Sequence, residues 1–304
     1  MTMRILLLGK NGQVGWELQR TLLPLGEIIS TDYPEIDLAN PVTTNAPHSI
    51  RNLIRELRPQ VIVNAAAYTD VDKAESEPEL AFAINGTAPG VLAEEAKRIG
   101  AALIHYSSDY VFDGQKGEPY VETDTPNPIN VYGQSKLAGE RAVQAVDDAY
   151  LILRTSWVYS LRRECFVTKV LRWAREKLIL RIVDDQIGSP TWCRMLAETT
   201  AQVLVMGRND VTGWLLEKKG IYHLAGCGSA SRFEWAQAIL KYDPGGEEKV
   251  TKEILPVLSI DFPSPARRPP STPLSCDFFT NVFKLRSPSW EHQLSLALDA
   301  FSKI

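Results

Sequence analysis

The chain has 304 residues, 44% hydrophobic and 23% charged, with a formal net charge of -4. These are the proportions of a soluble globular protein, and the acidic balance leaves no basic footprint for nucleic acid. The length supports a large core in one big domain or two lobes. The opening residues run straight into a strand, and no apolar run approaches the ~18 residues of a membrane span. Four separated cysteines, Cys165, Cys193, Cys227 and Cys276, form no Cys-x-x-Cys pair. Structural thiols in a reducing compartment are therefore expected, which points to the cytoplasm, and nothing compels a metal.

Residues 4–8 (RILLL) form a short apolar run, the pattern of a strand buried on both faces. Gly9-Lys10-Asn11-Gly12-Gln13-Val14-Gly15 follows, and residues 16–23 then read as a helix. Glycines at a strand-to-helix turn let the backbone approach a diphosphate, whose charge the helix N-terminus favours. The Gly-x-x-Gly-x-x-Gly spacing equally suits a plain turn closing any βα unit. A second strand, 27–31, ends at Asp32, with Asp37 and Leu38 just beyond. A carboxylate ~20 residues past the glycines suits a ribose 2′-hydroxyl; an ordinary loop carboxylate fits the same place.

Residues 49–57 read as a helix stopped by Arg58-Pro59, and 61–64 as a third strand running into Ala65-Ala66-Ala67-Tyr68-Thr69. Small residues there let a flat ligand lie against the backbone, and they also simply pack closely. Residues 79–99 read as one long helix closed by Gly100, and 101–106 as a fourth strand ending at Tyr106, before Ser107-Ser108-Asp109-Tyr110. Strands alternating with helices define an α/β fold, a doubly wound parallel sheet of Rossmann type, whose ligands bind at the strands' C-terminal ends. Tyr132 and Lys136 lie one turn apart on a helix over 132–146 and so share a face. A phenol beside an ammonium ionises more easily and can exchange a proton with a carbonyl oxygen near neutral pH. An i,i+4 surface pair has the same spacing, so the argument is the convergence of all these motifs on one rim.

The first 160 residues read as the dinucleotide-binding domain and 161–304 as a smaller substrate lobe. Helices are expected over 164–177, 191–206, 231–241 and 291–302, with 184–190 a loop. Segments 178–183 and 221–225 are expected to return to the main sheet. A proline-rich run over 263–273 reads as an ordered loop. Its Arg267 and Arg268 suit a substrate diphosphate bidentately, or a solvated charge pair. Trp157 suits either a flat pocket wall with an N–H donor or plain core.

Gly9 to Gly15, Asn64 to Ala67, Ser108 and Tyr132-x-x-x-Lys136 resemble the extended short-chain dehydrogenase/reductase family. More narrowly, GKNGQVGWEL, VIVNAAAYTDVDKAE, HYSSDYVFDG, NVYGQSKLAGE, RTSWVY and DDQIGSPT are similar to the dTDP-4-dehydrorhamnose reductase family, in order over most of residues 4–191. Beyond about residue 200 the likeness thins to IYHLAG at 221–226 and Arg268-Pro269. Serine stands at 108 where threonine is usual and keeps the hydroxyl; Pro270-Ser271-Thr272 replaces the usual Asn-Ser. The resemblance implies reduction of the C4 ketone of dTDP-4-dehydro-L-rhamnose to dTDP-L-rhamnose with NADH or NADPH. Tyr132 would protonate the ketone oxygen, Ser108 would hydrogen-bond it, and Lys136 would depress the Tyr132 pKa and hold the nicotinamide ribose.

Under the same resemblance Gly9, Asn11, Gly12, Gln13, Val14, Gly15, Asp32, Asp37, Leu38, Ala65 to Thr69, Tyr106, Tyr132 and Lys136 surround the cofactor. Ser108, Asp109, Trp157 and Arg268 meet the nucleotide-sugar partner. Neither nucleic acid nor membrane has a role, and a homodimer is allowed. Rival readings are a nucleotide-sugar 4-epimerase or 4,6-dehydratase, and a non-catalytic regulatory subunit like the methionine adenosyltransferase β subunit. Asp109-Tyr110 lacks the second carboxylate of a dehydratase, and the intact Ser108, Tyr132 and Lys136 favour an enzyme.

Overall fold

The computed structural model describes residues 2–41 and 49–301. Strands β1 (Met3–Leu8), β2 (Gly26–Thr31), β3 (Val61–Asn64), β4 (Ala102–Ser108) and β5 (Tyr150–Thr155) join a last strand, Gly220–His223, in one sheet. The spatial order is Gly220–His223, β5, β4, β3, β1, β2, and every neighbouring pair is parallel. From β1 the chain goes outward to β2, then back across to β3. A crevice therefore opens at the C-terminal ends of β1 and β3, where ligands of such sheets bind.

Successive strand side chains point to opposite faces, so the apolar runs feed two cores. Ile5, Leu7, Val61, Val63 and Ile104 pack on one face with Leu18, Leu196 and Leu204 from helices Gln13–Thr21 and Cys193–Met206. Leu6, Leu8, Ile62, Leu103 and Ile152 pack on the other with Ile54, Leu92 and Val143 from helices Ile50–Leu57, Ala88–Ile99 and Val131–Val146. Each such aliphatic side chain contributes about 1.5–3 kcal/mol by leaving water. The cores are what hold the rim rigid.

Several expectations are corrected. The first helix begins at Gln13, three residues before Trp16, because the extended Gly12 already caps it and accepts the Trp16 N–H at 3.1 Å. The single helix expected over 79–99 is divided into Pro78–Phe82 and Ala88–Ile99 by a π turn, Ala83–Thr87. Pro89 has no N–H for the Asn85 carbonyl, which breaks the ladder there. Strand Ile179–Val183 does not rejoin the main sheet: it pairs with Glu253–Val257 as a separate parallel ribbon. The edge beside β5 is taken by Gly220–His223. Leu180 and Ile182 instead pack into a third core with Trp235, Ile239 and Leu294.

Helices Val211–Glu217 and Asp277–Phe283 were not expected from the sequence; the second buries Phe279 and Phe283 against Tyr222. The last helix is Trp290–Phe301, and its expected end at Ser302 lies outside the described residues. Among the described residues no helix is long and apolar enough to cross a membrane. The proline-rich run is tied down as a strap. Tyr120 N–H donates to the Pro273 carbonyl at 2.8 Å, Ile187 N–H to the Pro270 carbonyl at 2.7 Å, and Thr272 N–H to the Ile187 carbonyl at 2.9 Å.

Candidate active site

One cavity of about 1010 Å³ occupies the crevice, at the upper end of the range for small-molecule sites. Gly9, Gly12, Gln13, Val14, Asp32, Asp37, Leu38, Ala65, Ala66, Ala67 and Thr69 line one end. Tyr106, Ser108, Asp109, Tyr132, Lys136 and Trp157 line the other. Gly9 sits at φ +86, and a Cβ there would fall 2.6 Å from the Ala66 backbone nitrogen. Only glycine lets the two strand ends approach this closely.

Four expected residues do not line the cavity. Asn11 acts through its backbone, donating N–H to Asp32 Oδ2 at 2.9 Å, and Gly15 is buried under the turn. The Tyr68 hydroxyl turns to Glu77 Oε2 at 2.8 Å, while Arg268 pairs with Asp72 Oδ2 at 2.7 Å. Arg267 is exposed, and its carbonyl accepts from Asn130 Nδ2 at 2.8 Å.

Tyr132 and Lys136 stand on helix Val131–Val146, which Asn130 caps by accepting the Gly133 N–H at 2.8 Å. The expectation that Lys136 lowers the Tyr132 pKa is corrected. Burial pushes the phenol above its ordinary range, and the Ser108 side chain is what pulls it back down. The Lys136 ammonium is directed to the Tyr106 carbonyl at 2.7 Å. Sharing a helix face brings two side chains into one site, but the β4 carbonyl is the stronger partner for a buried ammonium. Lys136 is itself pushed down to about 8 by burial, with the Glu140 carboxylate opposing.

Ser108 ends β4; its Oγ accepts the Tyr110 N–H at 3.1 Å and donates to Asp109 Oδ1 at 3.1 Å. Asp109 is buried, and Oδ2 accepts from Ser156 at 2.9 Å and Thr272 at 2.6 Å. Burial raises its carboxyl pKa, against these three hydroxyls and Arg232. Trp157 adopts φ 42, a strained value for a bulky residue. Its ring lies 3.7 Å from the Arg232 guanidinium and stacks on Trp235 at 5.5 Å.

Among the residues that escaped the sequence reading are Arg232 and Asn85. Arg232 lines the cavity, pushed down to about 10 mainly by burial. It opens the helix that Ser231 and Glu234 cap as a capping box, and that Ser-x-x-Glu signal was legible. Asn85, in the π turn, donates to Ser135 Oγ at 3.1 Å and to the Tyr68 carbonyl at 2.9 Å. Nothing short of the fold marks it.

The cavity suits an elongated anionic cofactor. Helix Gln13–Thr21 opens on it with no side-chain cap, so its first N–H groups and positive end face the space. Gln13 Oε1 and Thr155 Oγ1 are buried without a protein partner, and both residues line the cavity. Among the described residues no group of three or more His, Cys, Asp or Glu could hold a metal.

This fold and site define the nicotinamide-dinucleotide-dependent oxidoreductases of the extended short-chain type. Residues 3–303 match the RmlD substrate binding domain, and the chain belongs to that dTDP-4-dehydrorhamnose reductase family. It is 40% identical to the dTDP-4-dehydrorhamnose reductase of Burkholderia thailandensis over 299 residues, 97% of this chain and 98% of that one. Its structure resembles the Clostridium acetobutylicum dTDP-4-dehydrorhamnose reductase with a TM-score of 0.87, 32% identity, and 98% and 99% of the two chains covered. The Bacillus anthracis dTDP-4-dehydrorhamnose reductase, solved in complex with NADP, gives 0.86, 34%, and 99% and 100%.

Proposed function

We propose that the protein reduces the C4 ketone of dTDP-4-dehydro-L-rhamnose to dTDP-L-rhamnose in the cytoplasm. One observation carries the reading: Tyr132, Ser108 and Lys136 open into the same cavity as the glycine turn and Asp32. A bound NADH or NADPH would supply the hydride. The chain's own residues supply the rest. The Tyr132 hydroxyl gives its proton to the ketone oxygen as negative charge develops there. Because burial keeps that phenol protonated at neutral pH, it is ready as an acid in the reductive direction.

Ser108 holds the same oxygen, with Asp109, Ser156 and Thr272 fixing the Ser108 side of the pocket. Lys136 holds the nicotinamide ribose, and Asp32 the other ribose. Trp157 forms the apolar wall of the sugar pocket, with Arg232 laid over it. From the segment over 161–304, Arg232 lines the cavity and Thr272 bonds Asp109 beside it. We assign Arg232 to the diphosphate. The similarity to reductases along the full length supports this reading over an epimerase or a regulatory subunit.

The test is turnover with purified protein, dTDP-4-dehydro-L-rhamnose and either dinucleotide. The expected result is dinucleotide oxidation matched by formation of dTDP-L-rhamnose. Dinucleotide binding without oxidation would leave the regulatory-subunit reading in its place.

A further inference from the structure

The glycine turn carries a lysine that the reduction does not use. Lys10 sets its ammonium 2.6 Å from each Glu35 carboxylate oxygen. Thr31 adds its hydroxyl to the same carboxylate at 3.2 Å. Lys10 is the main reason that Glu35 is held below the ordinary carboxylate range, with Thr31 adding to it. Next to Lys10, Asn11 donates its N–H to Asp32 Oδ2, and the Tyr33 N–H meets Asp32 Oδ1 at 2.8 Å. Thr31, Asp32 and Tyr33 line the cavity, whereas Lys10 and Glu35 do not.

The corner past β2 therefore has a defined charge arrangement. Asp32 faces the cavity with a negative charge. Lys10, the cation of the glycine turn, is already engaged. Arg163 also lines the cavity and keeps its charge while its Nη1 donates to the Asn11 carbonyl at 3.0 Å. In sheets of this kind a carboxylate here accepts a ribose 2′-hydroxyl, and a nearby cation is what accommodates a 2′-phosphate.

We propose that Glu35 is a specificity-determining residue: by engaging Lys10 it withholds one cation from a 2′-phosphate and so shifts the corner toward NADH. This rests on reading the cavity as a dinucleotide site. A 2′-phosphate would bring its charge against Asp32 and Glu35 together, with Lys10 neutralised. Removing the Glu35 charge releases the ammonium toward the phosphate and leaves the 2′-hydroxyl contacts of Asp32 untouched.

The experiment is a direct affinity measurement, by calorimetry and tryptophan quenching, of NADH and NADPH on wild type, Glu35→Gln, Lys10→Met and the double variant. The Glu35 side chain is 55% exposed and its Lys10 partner 25%, so the isosteric change tests charge with little effect on the core. Wild type is expected to bind NADH at least as tightly as NADPH. Glu35→Gln should shift the affinity ratio toward NADPH by about fivefold, the size of a partly exposed ion pair, through tighter NADPH binding. The double variant should lose that gain. An unchanged ratio in Glu35→Gln, a gain that persists without Lys10, or a hundredfold wild-type preference for NADPH would each overturn the proposal. If wild type bound neither dinucleotide, the cavity reading itself would fail, and the proposal with it.

Discussion

At the scale of single residues, the proposed acid Tyr132 and the proposed ribose-holding Lys136 have separable duties. Tyr132→Phe keeps the ring and its edge contact with Tyr110 at 5.7 Å but removes the proton. The expected result is a kcat loss of about 10²–10⁴, the usual worth of general acid catalysis, with dinucleotide affinity unchanged. Turnover within about threefold of wild type, small against that general-acid range, would remove Tyr132 from the mechanism. Lys136 is different because its charge is buried. Its pKa lies at about 8 instead of the ordinary 10.5. Between those values the unfolded chain holds a proton that the folded chain has released, so this lysine makes stability rise with pH across that window. Lys136→Met should abolish that rise in urea-midpoint measurements. The same variant should weaken dinucleotide binding by roughly 1.5–3 kcal/mol, the worth of charge-assisted hydrogen bonds. A variant with wild-type affinity and the wild-type pH slope would contradict both duties.

At the scale of elements, the site depends on how closely the π turn approaches the catalytic helix. Gly139 follows Lys136 by less than one turn, and a Cβ there would fall 2.1 Å from the Asn85 carbonyl. That is the carbonyl to which Pro89, lacking an N–H, cannot donate. The helices can touch only because residue 139 has no side chain. Gly139→Ala should push the helix off the π turn and destabilise the protein by about 1–3 kcal/mol, as overpacking does. Since Tyr132 and Lys136 ride on that helix, kcat/KM should fall as well. Melting curves and steady-state kinetics on one preparation check both, and a variant with wild-type stability would show that the contact is relaxed. Glu140 pins the next turn, accepting from Arg154 at 2.8 and 2.6 Å deep in the interior.

At the scale of the whole molecule, burying two neutral imidazoles sets the acid limit of the fold. His223 is pushed down to about 3, first by burial and then by Arg154. His105 is driven well below its ordinary 6.5 by burial and the Lys136 charge. Both stay neutral in the folded protein, while the unfolded chain takes up protons below about 6.5. The stability they contribute is present above that pH and is lost as pH falls from about 6.5 toward 3. Urea midpoints at pH 7, 6, 5 and 4 should therefore decrease steadily, and a flat series would contradict the buried neutral state.

The apolar runs at β1, β3 and β4 and the glycine turn were legible because strand burial and helix entry are local patterns. The Tyr132–Lys136 pair was legible as a candidate because residue type and spacing suggest its chemistry, while the role of Ser108 came from the family resemblance. Position within the tertiary structure decided the rest. The Thr272 hydroxyl meets Asp109 across 163 residues of chain, and no periodicity connects them. Strand Ile179–Val183 was recognisable as a strand, yet its partner depended on which segment took the edge beside β5. Spacing placed Lys136 on the face of Tyr132, whereas the depth of the site turned its ammonium to the Tyr106 carbonyl. Sequence by itself determined most elements of the main sheet and the candidate reactive groups, through short-range propensity and chemistry. Only the tertiary structure decided which groups touch, because burial and long-range pairing set the partners and the charges they hold.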